Sequence, residues 1–254
     1  MSDEIRMDWT RFETSLQRRL ATSSRDHLLV LSEQARGIMR TVVELTPPGH
    51  DGVPGTGRKA RQMGMAAVAR DIKRIYGTPG DMFAEIKQRN EQMADAFYGQ
   101  VKARDIAAAS ATALRAIGKP LYPFDGGSLH KRFKGKQGRV KSRAQIFYVE
   151  DEKELKNYIK ERQKHVQFLQ AGWKSTAAKL GIQLPGSITS HNSPGAIAIE
   201  VSAQRLRIIA TNAVKYASNA DVERRIQWAI NRQASKMERQ WETYAQRFNQ
   251  RSGL

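Results

Sequence analysis

The chain has 254 residues, 43 of them Lys or Arg against 25 Asp or Glu, for a formal net charge of +18 and a pI near 10.3. Its 40% hydrophobic and 27% charged residues are the composition of a folded chain with a core of its own, and no apolar run reaches the ~18–20 residues that span a bilayer. Cysteine is absent, which excludes disulfides, thiolate metal sites and thiol nucleophiles and fits manufacture in a reducing cytosol. The opening MSDEIRMDWTRFETSLQRR lacks the charged-then-apolar layout of a signal peptide. So strong a positive field attracts polyanions and acidic surfaces; it bears on partners and not on fold.

In chain order, Trp9, Phe12, Leu16 and Leu20 predict a helical arm within residues 1–22. Leu28, Leu31, Ala35, Ile38, Val42 and Leu45 recur at steps of three and four, the stripe of an amphipathic helix over 24–45 with Ser24 as its N-cap. It stops near Thr46, because PPGHDGVPGTG follows and prolines remove backbone donors. A second helix is predicted over 58–76, carrying Ala60, Met63, Ala67, Ile72 and Ile75, and YGTPGD ends it. An Ala-rich helix over 81–117 runs to Gly118-Lys119-Pro120, and AQIFYV at 144–149 reads as a short strand. Residues 151–180 predict one long helix whose acidic start suits the positive end of a helix dipole and whose stop is Gly181. AIAIEV (196–201) and LRIIAT (206–211) read as a strand pair across SAQR.

The last helix, 221–248, places Ile226, Ile230, Ala234, Met237, Trp241, Tyr244 and Phe248 on one stripe, with Arg224, Arg225, Arg232, Lys236 and Arg239 mostly off it. Trp228 lies beside the stripe and is a candidate subunit contact. The fold expected is α+β: several long amphipathic helices packed on a small, mainly antiparallel β-sheet of at least three strands. Residues 23–254 then form a single domain with an extended basic loop at about 123–143.

That loop is the chain's strongest local signal. SLHKRFKGKQGRVKSR (128–143) carries Lys131, Arg132, Lys134, Lys136, Arg139, Lys141 and Arg143 with no acidic residue among them. Its Gly and Lys content builds no core, so it is expected to be mobile in the free subunit and ordered by a partner. Phe133 is its one residue suited to stacking on bases. A secondary basic cluster, Arg58, Lys59 and Arg61, opens the second helix after GVPGTG. Gly52 and Gly57 have P-loop spacing, but Arg58 and Lys59 stand where Lys and Ser/Thr are required, and a helix precedes the loop where a strand is needed.

The five histidines, His27, His50, His130, His165 and His191, are scattered singly, and no HExxH or GxSxG arrangement occurs. Asp151, Glu152 and Glu154 open a helix, where they compensate its dipole. No catalytic constellation, metal site or cofactor is called for.

Three segments, TPPGHDGVPGTGRKARQMGMAAVARDIKRIYG (46–77), VEDEKELKNYIKERQKHVQFLQAGWKSTAAKLGIQLP (149–185) and NAVKYASNADVERRIQWAINRQASKMERQWE (212–242), together resemble tailed-bacteriophage neck or tail-completion proteins, the minor tail or minor capsid proteins of the head–tail connector. The resemblance implies a structural virion protein without enzymatic activity, made in the host cytoplasm. It would form a homo-oligomeric ring around the DNA axis by heterologous contacts. Its partners would be connector or portal-side proteins, tail-tube or tail-terminator proteins and the backbone of the genome DNA, with no membrane involved. The alternative expectation is a sequence-nonspecific nucleic-acid-binding protein, which the charge favours and the absence of a base-reading motif opposes.

Overall fold

The computed structural model describes residues 27–49, 54–135, 140, 145–202, 205–214 and 220–252. The expected arm over 1–22 and the Ser24 cap lie outside them. In chain order the elements are α1 (His27–Leu45), α2 (Arg58–Lys73), β1 (Tyr76–Gly77), α3 (Pro79–Lys87), α4 (Glu91–Lys102), α5 (Ile106–Ile117), β2 (Leu121–Tyr122) and α6 (Ser128–Phe133). Then come β3 (Phe147–Val149), α7 (Glu152–Gln163), α8 (Phe168–Ala171), α9 (Lys174–Lys179), α10 (Gly186–Thr189), β4 (Gly195–Ser202), β5 (Arg205–Asn212) and α11 (Ala220–Ser252). The architecture is α+β, helix-rich with small sheets. Where a single domain over 23–254 was expected, the chain clusters into two compact units: a central one, Met63–His165, and a terminal one formed by Met1–Gln62 with Val166–Leu254.

The terminal unit is built on α1 and α11. Ile38, Met39, Val42 and Val43 of α1 share one core with Ile226, Ala229, Ile230 and Met237 of α11 and with Trp173, and burying each large side chain contributes about 1.5–3 kcal/mol. Gly37 lets the helices approach closely: a Cβ there would lie 2.7–2.8 Å from the Gln233 side-chain amide. One turn away, Gln233 Nε2 donates to Gln34 Oε1 at 2.7 Å, an amide pair buried within the interface.

A helix leaves its last carbonyls without intrahelical partners, and the end of α1 finds one for each. Val42 O accepts from the backbone N–H of Thr46 at 2.9 Å and from its hydroxyl at 2.7 Å. Val43 O accepts from Gln170 Nε2 at 3.0 Å, and Glu44 O from Gly55 N at 2.6 Å. Leu45 O accepts from Arg225 Nη1 at 2.6 Å, a cation at the negative end of the helix dipole. Gln170 reaches on to Thr46 O at 3.1 Å, Arg225 to Gly49 O at 2.6 Å, and Trp173 Nε1 donates to the Thr46 hydroxyl at 3.3 Å.

This capping explains a departure from the sequence pattern. The single helix expected over 151–180 breaks after α7, and Gln167 turns into the left-handed region at φ 74°. The break carries Gln167 Nε2 onto Gly55 O at 2.9 Å and aims Gln170 at the end of α1. Behind it, β4 and β5 pair antiparallel along their length as expected, from Gly195↔Asn212 to Ser202↔Arg205. The pair enters against the turn at Gly172, since a Cβ on Gly195 would sit 1.8 Å from Gly172 O.

In the central unit the strands correct the expected topology. β1, β3 and β2 form a separate three-stranded sheet in that order, both pairs parallel. The mainly antiparallel sheet of three or more strands is therefore two sheets, and the antiparallel one has two strands. Side chains alternate across a strand, so this short sheet sits between two layers. Tyr148 and Leu121 join Met82, Ile86, Phe97 and Ile117 on one face, while Tyr76 and Val149 join Ile72, Ile75 and Leu155 on the other.

The helix expected over 81–117 is three helices, because side chains cap new starts within it. Asn90 accepts from Met93 N and Asp105 from Ala108 N, both at 3.0 Å, and Thr78 with Asp81 forms a reciprocal capping box at the start of α3.

Gln170→Leu keeps volume but strips two carbonyls at the end of α1 of their donor. A loss of about 2–4 kcal/mol is expected in a guanidinium titration, whereas Gln183→Leu, at an exposed position, should stay within about 0.5 kcal/mol of wild type.

Candidate functional site

The basic loop is rooted by buried polar groups of the central unit. Its first part, from Ser128, is the short helix α6 rather than irregular chain. Asp125 sets that start: Oδ1 accepts from Gly127 N at 2.9 Å and from the Tyr76 hydroxyl at 2.5 Å, and Oδ2 from the Ser128 hydroxyl at 2.5 Å and Leu129 N at 2.7 Å. Gly127 has φ 85°, and a Cβ there would overlap the Tyr158 ring, so this turn needs glycine on both counts.

His130, 3% exposed, faces inward from α6. Its Nδ1 lies 2.9 Å from the Tyr158 hydroxyl and its Nε2 lies 3.3 Å from Asp71 Oδ2. The other oxygen of Asp71 accepts from Val140 N at 2.8 Å, and Val140 O accepts from Arg74 Nη1 at 3.4 Å. Lys134 and Val140 close an antiparallel bridge. One carboxylate on α2 thus reaches both His130 and Val140.

Of the seven cations, Lys131, Arg132 and Lys134 are exposed around this root. Lys136, Arg139, Lys141 and Arg143 lie outside the described residues, as does the expected mobility of that stretch. The fold adds two cations from other elements. Arg74 follows α2 and holds Val140, and Arg162 of α7 lies over the Tyr158 ring with its guanidinium carbon 5.0 Å from the centroid. Nothing in the linear pattern marks either, because each is a basic residue near a helix end like many others in this chain.

Arg58, Lys59 and Arg61 are exposed at the start of α2, flanking the buried Ala60. They belong to the terminal unit and the basic loop to the central one. Trp228 is 44% exposed on α11, with the Arg232 guanidinium 5.1 Å from its ring centroid.

The electrostatics of the root favour fixed protonation states. Burial pushes His130 below the ordinary imidazole value; its bond to Asp71 opposes this, and Lys134 and Arg162 add to it. Burial raises Asp125, but hydrogen bonds from Ser128, Tyr76 and the N–H groups of Leu129 and Gly127 outweigh it and hold the carboxyl below its usual range. Tyr76 is raised by burial and by its bond to Asp125, so it stays a donor.

On the other face of the sheet, Lys119 Nζ lies 2.7 and 3.0 Å from the Glu85 oxygens, and the Tyr148 hydroxyl donates to the same carboxylate. Lys119 and then Tyr148 hold Glu85 low, while burial and then Glu85 raise Tyr148. Among the described residues, no group of three or more His, Asp or Glu could hold a metal ion, and no helix is long and apolar enough to cross a membrane.

A pH dependence follows. Below the unperturbed imidazole value of about 6.5 the unfolded chain binds a proton that folded His130 resists, so stability falls as pH drops through that region. Asp125 and Glu85, held low in the fold, stabilise it above the usual carboxylate values, and that contribution is lost as pH falls through about 4. Melting temperature followed from pH 8 to 3 should decline in these two stages, and His130→Asn should flatten the first and leave the second. Compared with protein-family models, curated proteins and solved structures, the chain matches none.

Proposed function

We propose that this chain is a structural subunit of a tailed-phage head–tail junction, a neck or tail-completion protein that assembles as a ring around the DNA axis. The observation that carries the proposal is the basic loop. Seven cations without an acid fall within 131–143, and Asp71 ties down His130 and Val140 of the same stretch. Cations held together repel one another, and a polyanion relieves that cost without rebuilding the root. The resemblance of segments 46–77, 149–185 and 212–242 to neck proteins supplies the setting, and the exposed Trp228 with Arg232 supplies a surface for a neighbouring subunit or a connector or tail-tube protein.

The loop offers charge without a base-reading element, so its contact with DNA is to the backbone. Such binding is indifferent to sequence and falls steeply with salt. Nucleic-acid binding outside a particle is the second reading, and the same loop supports it.

Quantitative mass spectrometry of purified, DNA-filled particles separates the two. The junction reading expects a fixed low copy number relative to the major capsid protein, of the order of one ring, and absence from particles overturns it. Replacing Lys131, Arg132, Lys134, Lys136, Arg139, Lys141 and Arg143 by Ser or Gln should leave the circular-dichroism spectrum and melting temperature unchanged and reduce head–tail joining. A normal infectious yield from that variant would remove the loop from the proposal.

A further inference from the structure

The sequence offers one aromatic ring within the basic stretch, Phe133, and one ring is a poor platform for bases. The fold supplies two more. Phe133, at the end of α6, has its ring centroid 6.4 Å from that of Phe147 on β3, and Phe147 lies 5.7 Å from Tyr122 on β2. The three thus form a row of adjoining rings, with Phe147 in the middle. Tyr122 is 38% exposed, while Phe147 and Phe133 are half-buried, their inner sides packed on the core. Exposed Lys131, Arg132 and Lys134 lie on the same short segment as Phe133.

The row has a chemical direction. At the Phe133 end it meets the cations of α6. At the Tyr122 end the chain runs into an acidic stretch: the Glu150 backbone N–H donates to Tyr122 O at 2.9 Å, and exposed Asp151, Glu152 and Glu154 follow it in sequence. A polyanion is therefore drawn to the Phe133 end of the row.

We propose that this rim binds single-stranded nucleic acid without sequence preference, with a base stacking on Tyr122, its neighbours packing on what Phe147 and Phe133 leave exposed, and phosphates against Lys131, Arg132 and Lys134. Stacking tolerates any base, because every base has a π-face. A duplex keeps its bases stacked on one another and offers this surface its phosphates alone. The inference does not depend on the head–tail reading, since it concerns what the rim takes and not where the chain resides.

The test is fluorescence anisotropy with the full chain, using labelled oligo(dT) of about 12 nucleotides and a duplex of about 12 base pairs across a salt series. Oligo(dT) should bind more tightly than the duplex. Tyr122→Ala should weaken oligo(dT) about tenfold without changing the duplex, and Tyr122→Trp should restore it. Lys131→Gln, Arg132→Gln and Lys134→Gln together should weaken both and reduce the steepness of the salt dependence. Tyr122 is exposed, so an unchanged circular-dichroism spectrum is expected of its variants. A duplex bound as tightly as oligo(dT), or a Tyr122→Ala chain with wild-type affinity for oligo(dT), reduces the surface to charge alone and overturns the proposal. No binding of oligo(dT) at low salt overturns it outright.

Discussion

The end of a helix cannot be left bare inside a core, and the terminal unit is organised around that rule. Four carbonyls at the end of α1 need donors, and two come from far along the chain: Gln170, 127 residues from Val43, and Arg225, 180 from Leu45. Meeting this demand fixes where α8 must start, why Gln167 takes a left-handed conformation, and which face of α11 turns inward. Apolar packing between α1 and α11 supplies most of the stabilisation, but it tolerates sliding. The directional bonds at the end of α1 tie the register of three segments to one point. Trp173 does both jobs, filling the core with its ring while its N–H reaches Thr46.

The central unit solves a different problem, how to display charge on a fixed support. Lys131, Arg132 and Lys134 repel one another and contribute nothing to a core. Their support comes from beneath, where Asp71 spans His130 and Val140 and Asp125 spans Tyr76 and the start of α6. Both carboxylates serve as structural acceptors, so neither neutralises the cations that α6 presents outward. Buried groups that are fully hydrogen-bonded specify one arrangement at little cost, and the positive face stays available. Aromatic side chains share this support. Tyr158 packs over Gly127, holds His130 through its hydroxyl and carries Arg162 on its ring.

Much of the helical fold was legible because apolar stripes at 3.6-residue spacing are long and redundant. Ile226, Ile230, Ala234 and Met237 are buried as their spacing requires, and the alternating β4–β5 pair formed in place. What escaped was carried by polar side chains acting at a distance. Asn90 and Asp105 start new helices inside an apparently continuous Ala-rich run, and a cap of one residue leaves little trace in a periodicity. The parallel sheet has strands of two and three residues, too short for any alternation to register. Arg225 sits among the basic residues of α11 and has the same letter as Arg224, yet it turns inward to Leu45 and Gly49. The basic stretch itself was plain in the sequence. Its root was not, because Asp71, Tyr76, Arg74 and Tyr158 come from other segments, and neither were Phe147 and Tyr122 beside Phe133.

The division of the chain carries a consequence for the order of events during synthesis. The central unit is one continuous stretch, Met63–His165, so all of its residues have emerged before the last helix is made. The terminal unit must wait, because its amide pair joins residues 199 apart in sequence, Gln34 and Gln233. Until α11 is made, the apolar face of α1 lacks Ile226, Ala229, Ile230 and Met237, and the carbonyl of Leu45 lacks its arginine. Nascent chains of this protein therefore hold the whole central unit before the helix that completes the terminal core exists. Loop-closure entropy makes that last docking the slow step, and the exposed stripe of α1 is the surface that a chaperone would hold in the meantime.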